Sequence, residues 1–321
     1  MADENEDPRE VAWHPRHAQQ VLGHQAAAEQ FYKAFDSGRP HHAWLITGPK
    51  GIGKATLAYR LASHVLGQVN QAQSARWIAA RAHPDLFVLE RRLNDSKPRK
   101  LKTEISVDDA RGLSEFFSHT SSGGWRVGLV DAADDLNSES ANALLKLVEE
   151  PPPNCLLFLV CHLPGRLLRT MKSRCTRLPL STISISETLN VLNDIALENK
   201  PKTEDLELAV QLSSGSPGRA LALLNSEGAK AFDLFLKTPQ NILAVANKFG
   251  GRLATVDDFN IFGDLMLDWI AGNAAQNANV QLACTHAKIA ENWRVTNAFN
   301  LDRRQAVISA LRHVTEALKA A

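Results

Sequence analysis

The sequence predicts an α/β fold, a parallel sheet covered by helices, joined to a second part that is helical throughout. Three observations carry this. A glycine-rich turn separates a short apolar run from a helical pattern between residues 43 and 66. Apolar strand-like runs then alternate with helical spacings as far as residue 180. Beyond residue 180 only helical signals remain.

Taken in order, residues 1–20 read as a loose arm, in which Trp13, His14 and Pro15 can dock on the body. A helix is expected over 25–35, ending near Gly38, Arg39 and Pro40, and a buried strand over 44–47. The turn after that strand opens a helix reaching about residue 66, and a polar, alanine-rich helix follows over 71–82. His83, Pro84 and Asp85 lead into a second strand at 86–89. Residues 91–102 form a basic loop broken by Pro98; such a run is more often solvated than nucleic-acid-binding. Helical spacing over 107–117, a turn at 121–124 and a third strand over 125–130 lead to Asp131. The helix over 138–148 is stopped by the prolines at 151–153, and the apolar strand 155–160 follows. Residues 171–180 hold a short last strand. Ser184 and Glu187 form a capping box, Thr203 opens another helix, and Ser216-Pro217 opens a third. From residue 227 onward the text is amphipathic helix.

With 321 residues, 44% of them hydrophobic, the chain can bury two or three domain cores. Its net charge of +1 supplies no global field toward nucleic acid or an anionic membrane. The acidic start has no signal-peptide pattern, and no apolar run approaches the length of a membrane span. Cys155, Cys161, Cys175 and Cys284 lack C-x-x-C spacing, so neither a disulfide framework nor a zinc module is expected. Cytoplasm is the expected location, without a membrane partner.

The segment Gly48-Pro49-Lys50-Gly51-Ile52-Gly53-Lys54-Ala55-Thr56 fits the G-x-x-x-x-G-K phosphate loop, but Ala55 stands where the magnesium-holding hydroxyl is required. Thr56 cannot replace it, because one helical step rotates a side chain by about 100°. Asp131 ends a strand where a magnesium-organising aspartate belongs; it equally suits a turn cap. Ala132 and Ala133 follow it in place of a water-orienting glutamate, and Asp134 and Asp135 are displaced. Ser173-Arg174-Cys175 precedes the last strand, so Arg174 is either a surface arginine or a charge reaching a neighbour's phosphate. Arg219 sits in the first turn of its helix, where it opposes the dipole and suits an anion partner or plain solvation. His41, His42 and the Cys161-His162 pair have no metal-ligand spacing. Trp13, Trp125, Trp269 and Trp293 read as core anchors rather than base-stacking platforms.

The order of these motifs is informative. His41-His42-Ala43-Trp44 runs into the loop, His83-Pro84-Asp85 precedes a strand, and Asn142-Ala143-Leu144-Leu145-Lys146 leads to Glu149-Glu150-Pro151-Pro152. Ser173-Arg174-Cys175 and Gly215-Ser216-Pro217-Gly218-Arg219 follow. Over residues 20–225 the chain resembles the clamp-loader branch of the AAA+ superfamily, and within it the delta prime family of bacterial DNA polymerase III. The resemblance implies a AAA+ domain over 21–180 after the arm, a small helical lid over 181–226 and a helical oligomerisation collar over 227–321. It implies a stator in a heteropentamer with gamma/tau-type ATPase subunits and a delta subunit, which places a sliding clamp on primed DNA. Arg174, with Ser173 beside it, would act in the ATP site of an adjacent subunit. Gly48 to Thr56, Asp131 and Arg219 would face ATP or ADP held without efficient hydrolysis. Some relatives carry a four-cysteine zinc module at the position of residues 68–81, where this chain has no cysteine, so zinc is not expected.

Two rival readings stand beside this one. An active AAA+ motor, either a clamp-loader ATPase or a branch-migration motor, would need Thr56, Asp134 or Asp135 to fill the missing roles. A small-molecule P-loop kinase explains neither the helical last third nor the Ser173-Arg174-Cys175 segment.

Overall fold

In the computed structural model the described residues are 7, 11, 13–18, 20–94, 101–119, 121, 124–195, 201–224, 226–250 and 255–319. The chain divides into two compact units, one of residues 1–199 with 215–218, the other of residues 200–214 with 219–321.

The first unit is built on five parallel strands: β1 (Ala43–Thr47), β2 (Leu86–Glu90), β3 (Arg126–Asp131), β4 (Cys155–Cys161) and β5 (Thr176–Pro179). Their order across the sheet is β2-β3-β4-β1-β5. β1 therefore lies between β4 and β5, with Thr47 opposite Cys161 on one side and Pro179 on the other. A strand covered on both faces reads as a continuous apolar run, and β1 and β4 do so for that reason. Trp44, Ile46 and Phe158 face a core with Phe31, Leu57 and Leu61. Leu45, Leu157 and Leu159 face the opposite core with Leu113, Leu144 and Met171.

The helices of this unit are α1 (Gln25–Asp36), α2 (Lys54–Leu66), α3 (Gln71–Ala79), α4 (Val107–Ser118), α5 (Ser138–Glu149), the short α6 (Arg169–Ser173) and α7 (Ile185–Asp194), of which α1 to α6 pack on the sheet. Helix α3 stops three residues before the expected end, because Arg81 turns left-handed (φ 54°) and the Ala82 N–H closes on Trp77 O at 2.8 Å. The capping box of Ser184 and Glu187 forms at the start of α7. The arm docks, but not through Trp13, which is 41% exposed and is no core anchor. His14 packs edge-on against Tyr59 at 6.0 Å and Arg16 Nε donates to Ala79 O at 3.1 Å, so the two polar neighbours are buried instead. In the basic loop, Arg91 pairs with Asp135 at 3.0 Å and Arg92 pairs with Asp109. Residues 95–100 of that loop lie outside the described residues.

The sequence carries no strand signal after residue 180, and the regular elements of the described residues there are helices: α7 and then α8 (Thr203–Leu212), α9 (Pro217–Leu223), α10 (Glu227–Lys237), α11 (Ile242–Asn247), α12 (Val256–Gln276), α13 (Val280–Ala298) and α14 (Arg303–Lys319). Left-handed residues Ala278 and Asn300 break the last amphipathic stretch into separate helices. The core of the second unit is aromatic. Trp293 stacks on Phe259 with centroids 4.7 Å apart, and its indole N–H donates to Phe259 O at 3.1 Å. Phe232, Phe235, Phe249 and Phe262 complete the cluster. No helix among the described residues is long and apolar enough to cross a membrane.

Candidate functional site

The site begins where β1 ends. The chain leaves Thr47 and curls through residues 48–53 before α2 starts at Lys54. Gly48 has φ 146°, and a Cβ there would lie 2.4 Å from Leu180 O, so no side chain fits. Gly53, the N-cap of α2, has φ 100°, a conformation that costs any L-residue with a side chain.

The loop's carbonyls are taken one after another by donors of the first unit. Lys54 Nζ donates to Gly48 O at 2.8 Å and to Pro49 O at 2.5 Å. Ser216 Oγ donates to Lys50 O at 3.0 Å, and Gly218 N–H to Gly51 O at 2.8 Å. His24 Nε2 donates to Ile52 O at 2.6 Å, which puts the imidazole proton on that nitrogen. No acceptor among the described residues takes the N–H groups of Lys50, Gly51 or Gly53. A loop with satisfied carbonyls and unpaired amides at a helix N-terminus is suited to an anion.

Lys54 is 2% exposed, and burial brings its ammonium down to about 8 against the pull of Asp131 and Asp134. At the end of β3, Asp131 lies opposite Glu90 in the register with β2. Burial, with that second carboxylate beside it, pushes Asp131 up to about 6, opposed by Lys54. The loop lysine and the strand-end aspartate thus feel each other's charge, as the sequence pattern requires. The second helical residue, Ala55, offers only a methyl, and Thr56 comes one step later. The residues present fit a nucleotide's phosphates through Lys54 and the loop amides; they do not supply the hydroxyl that magnesium would take from the residue after Lys54.

The two displaced acids are occupied. Asp134 accepts from His162 N–H at 2.7 Å with one oxygen and from Leu163 N–H at 3.2 Å with the other, tying down the exit of β4. Asp135 holds Arg91. His162 is a residue that motif spacing missed. It is the first residue beyond β4, and β4 is the neighbour of β1. Its Nδ1 is buried without a hydrogen-bond partner among the described residues. Burial, then the positive Lys54 and Lys50, bring its imidazole down to about 4, so it is neutral at neutral pH. The signal for it in sequence is position, at the C-terminal end of a central strand.

Ser173 and Arg174 are placed away from this loop's hydrogen bonds, at the end of α6 and just before the edge strand β5. Ser173 Oγ donates to Thr170 O at 3.0 Å. Arg174 Nη1 donates to the same carbonyl at 3.1 Å, and Nη2 lies 3.1 Å from Glu149 Oε1, with the arginine side chain 42% exposed. In the second unit, Arg219 pairs with Asp268 at 2.6 Å.

A doubly covered parallel sheet with a glycine-rich anion loop between an inner strand and a helix defines a P-loop protein. A family model described as "DNA polymerase III, delta subunit" matches residues 23–184, about half the chain. The delta prime subunit of Pseudomonas aeruginosa DNA polymerase III is 39% identical over 55% of this chain and 53% of its own length. That of Escherichia coli K12 is 29% identical over 90% of this chain and 86% of its own. The chain belongs to the DNA polymerase III delta-subunit family, in the delta prime branch that these relatives represent. It spans about half the length of the Pseudomonas relative. Among solved structures, a gamma subunit-related protein of DNA polymerase III from Thermotoga maritima covers 91% of this chain and 99% of its own at 16% identity, with a TM-score of 0.46, too low to add to the assignment.

Proposed function

We propose that this chain is a clamp-loader subunit of DNA polymerase III that does not hydrolyse nucleotide efficiently and acts as the stator of the complex. Its partners are gamma/tau-type ATPase subunits and a delta subunit, and through them a sliding clamp and primed DNA. In this reading residues 181–226 act as a lid and 227–321 as the collar. ATP or ADP, when bound, would lie on Lys54 and the amides of the loop from Gly48 to Thr56, beside Asp131, and Arg219 is proposed as a further residue for its phosphates. It would supply a bound polyphosphate and no turnover of its own. Arg174 instead stabilises charge in the ATP site of the adjacent subunit.

The observation that carries the proposal is the state of the loop. Its backbone keeps the anion-cradling arrangement, yet Ala55 and Ala132 contribute nothing to hydrolysis. Asp134 and Asp135, the acids that an active motor would recruit, are committed to His162, Leu163 and Arg91. Arg174 keeps a half-exposed guanidinium at the sheet edge.

The test is nucleotide titration of the purified chain with turnover followed in the same sample, then steady-state ATPase and clamp loading in the reconstituted complex. Binding without turnover is expected. Arg174→Ala should lower turnover and loading in the complex, and Lys54→Ala should matter less. Robust magnesium-dependent hydrolysis by the isolated chain, or the reverse ranking of the two variants, would refute the proposal.

A further inference from the structure

We propose that Glu149 is a positioning residue that holds Arg174 in the orientation from which it acts; this rests on the reading of Arg174 given above. Glu149 is the last residue of α5, and Arg174 is the residue at which α6 ends. Both stand on fixed backbone. Val148, beside Glu149, is 2% exposed, and its carbonyl accepts from His42 Nε2 at 2.7 Å. Met171, whose carbonyl accepts the Arg174 N–H at 3.2 Å, is fully buried.

Of the five N–H groups of a guanidinium, one donates to Thr170 O, and the Glu149 carboxylate stands 3.1 Å from Nη2 as an ion pair. The remaining N–H groups stay available to an incoming oxyanion. Thr170 belongs to the same short helix as the arginine's own backbone, so it fixes one end of the group only. Glu149 comes from a different helix, 25 residues earlier, and supplies the second point that sets the plane. Several other exposed ion pairs, such as Arg294 with Glu291, join residues three or four apart on one helix and constrain nothing beyond it. Without Glu149 the long, half-exposed arginine keeps a single contact and regains its rotamer freedom, which is lost again each time it engages a phosphate.

The test compares Glu149→Ala, Glu149→Gln, Arg174→Ala and the Glu149→Ala/Arg174→Ala double variant in the reconstituted complex. An exposed ion pair limits the effect, so Glu149→Ala should lower kcat roughly two- to fivefold with KM for ATP unchanged. Glu149→Gln, whose amide oxygen keeps the carboxylate's place beside Nη2, should restore most of the rate, and the double variant should match Arg174→Ala alone. In the full chain by itself, the ¹⁵N–¹H signals of the Arg174 guanidinium should show hindered rotation in the wild type and Glu149→Gln, and lose it in Glu149→Ala. The proposal is overturned if Glu149→Ala leaves both kcat and guanidinium rotation unchanged, if Glu149→Gln is as impaired as Glu149→Ala, or if Glu149→Ala costs the same factor when Arg174 is already gone. An unchanged rate in Arg174→Ala would overturn the trans-acting role itself; that arm is read separately from the guanidinium signals.

Discussion

Gly218→Ala sets two opposed effects against each other. Gly218 is the second residue of α9, and in a helix alanine is favoured over glycine by about 1 kcal/mol. By propensity alone the substitution stabilises. The tertiary structure says the reverse. A Cβ on residue 218 would lie 2.8 Å from Gly51 Cα and 3.0 Å from Gly51 O, both backbone atoms that cannot rotate aside. Carbon contacts relax near 3.5–4.0 Å, so the two segments must part by roughly 1 Å. That breaks the 2.8 Å bond from Gly218 N–H to Gly51 O. Forcing the two backbones apart costs about 1–3 kcal/mol as overpacking, and the lost bond about 1 kcal/mol. After the helix gain is subtracted, a net loss of about 1–3 kcal/mol is expected. Urea unfolding measures it, with amide exchange at Gly218 as the local readout. Gly165→Ala, in the turn after β4 where a Cβ meets nothing within 4 Å, is the control for a methyl with no steric conflict and should be close to neutral. A Gly218→Ala protein as stable as the wild type, with its amide equally protected, would refute the close approach and the account of how the phosphate loop is braced.

Asp131 binds a proton more readily in the folded chain than an ordinary carboxyl does, so its contribution to stability is present below about pH 4 and is lost as the pH rises through about 6. Asp131→Asn should remove that decline, leaving the wild type on the order of 1–3 kcal/mol less favoured between pH 4 and 7 relative to the variant, measured by urea midpoints across pH; parallel curves would refute the burial of its charge. Trp293→Ala should cost about 3–5 kcal/mol by opening the stack on Phe259, whereas Trp13→Ala should cost less than about 1 kcal/mol because the ring is exposed. Equal costs for the two would contradict the observed packing.

Much of the first unit was legible from residue 43 onward. β1 and β4 announce themselves as unbroken apolar runs because both their faces are covered. The start of α2 follows from Gly53, whose left-handed backbone admits little else, and the end of α5 from the prolines at 151–153. Caps such as Ser184 with Glu187 are pairs three residues apart, so they can be read directly. The erosion at Ala55 and Ala132 is also a local fact, visible without any fold.

What sequence alone determined, then, is what short-range chemistry encodes: backbone preference, amphipathic spacing, and which residue types are missing from the loop. The tertiary structure decided the partners. That Ser216 and Gly218 close on Lys50 and Gly51, some 166 residues earlier, that Asp134 serves the exit of β4, and that Arg174 leans on Glu149 are set by the tertiary fold. So is the choice of His14 and Arg16 over Trp13 as the residues that pin the arm. Local patterns carry no information about which distant donor will meet a given carbonyl, because those meetings are set by how β1 is threaded between β4 and β5, and that threading satisfies the whole core at once.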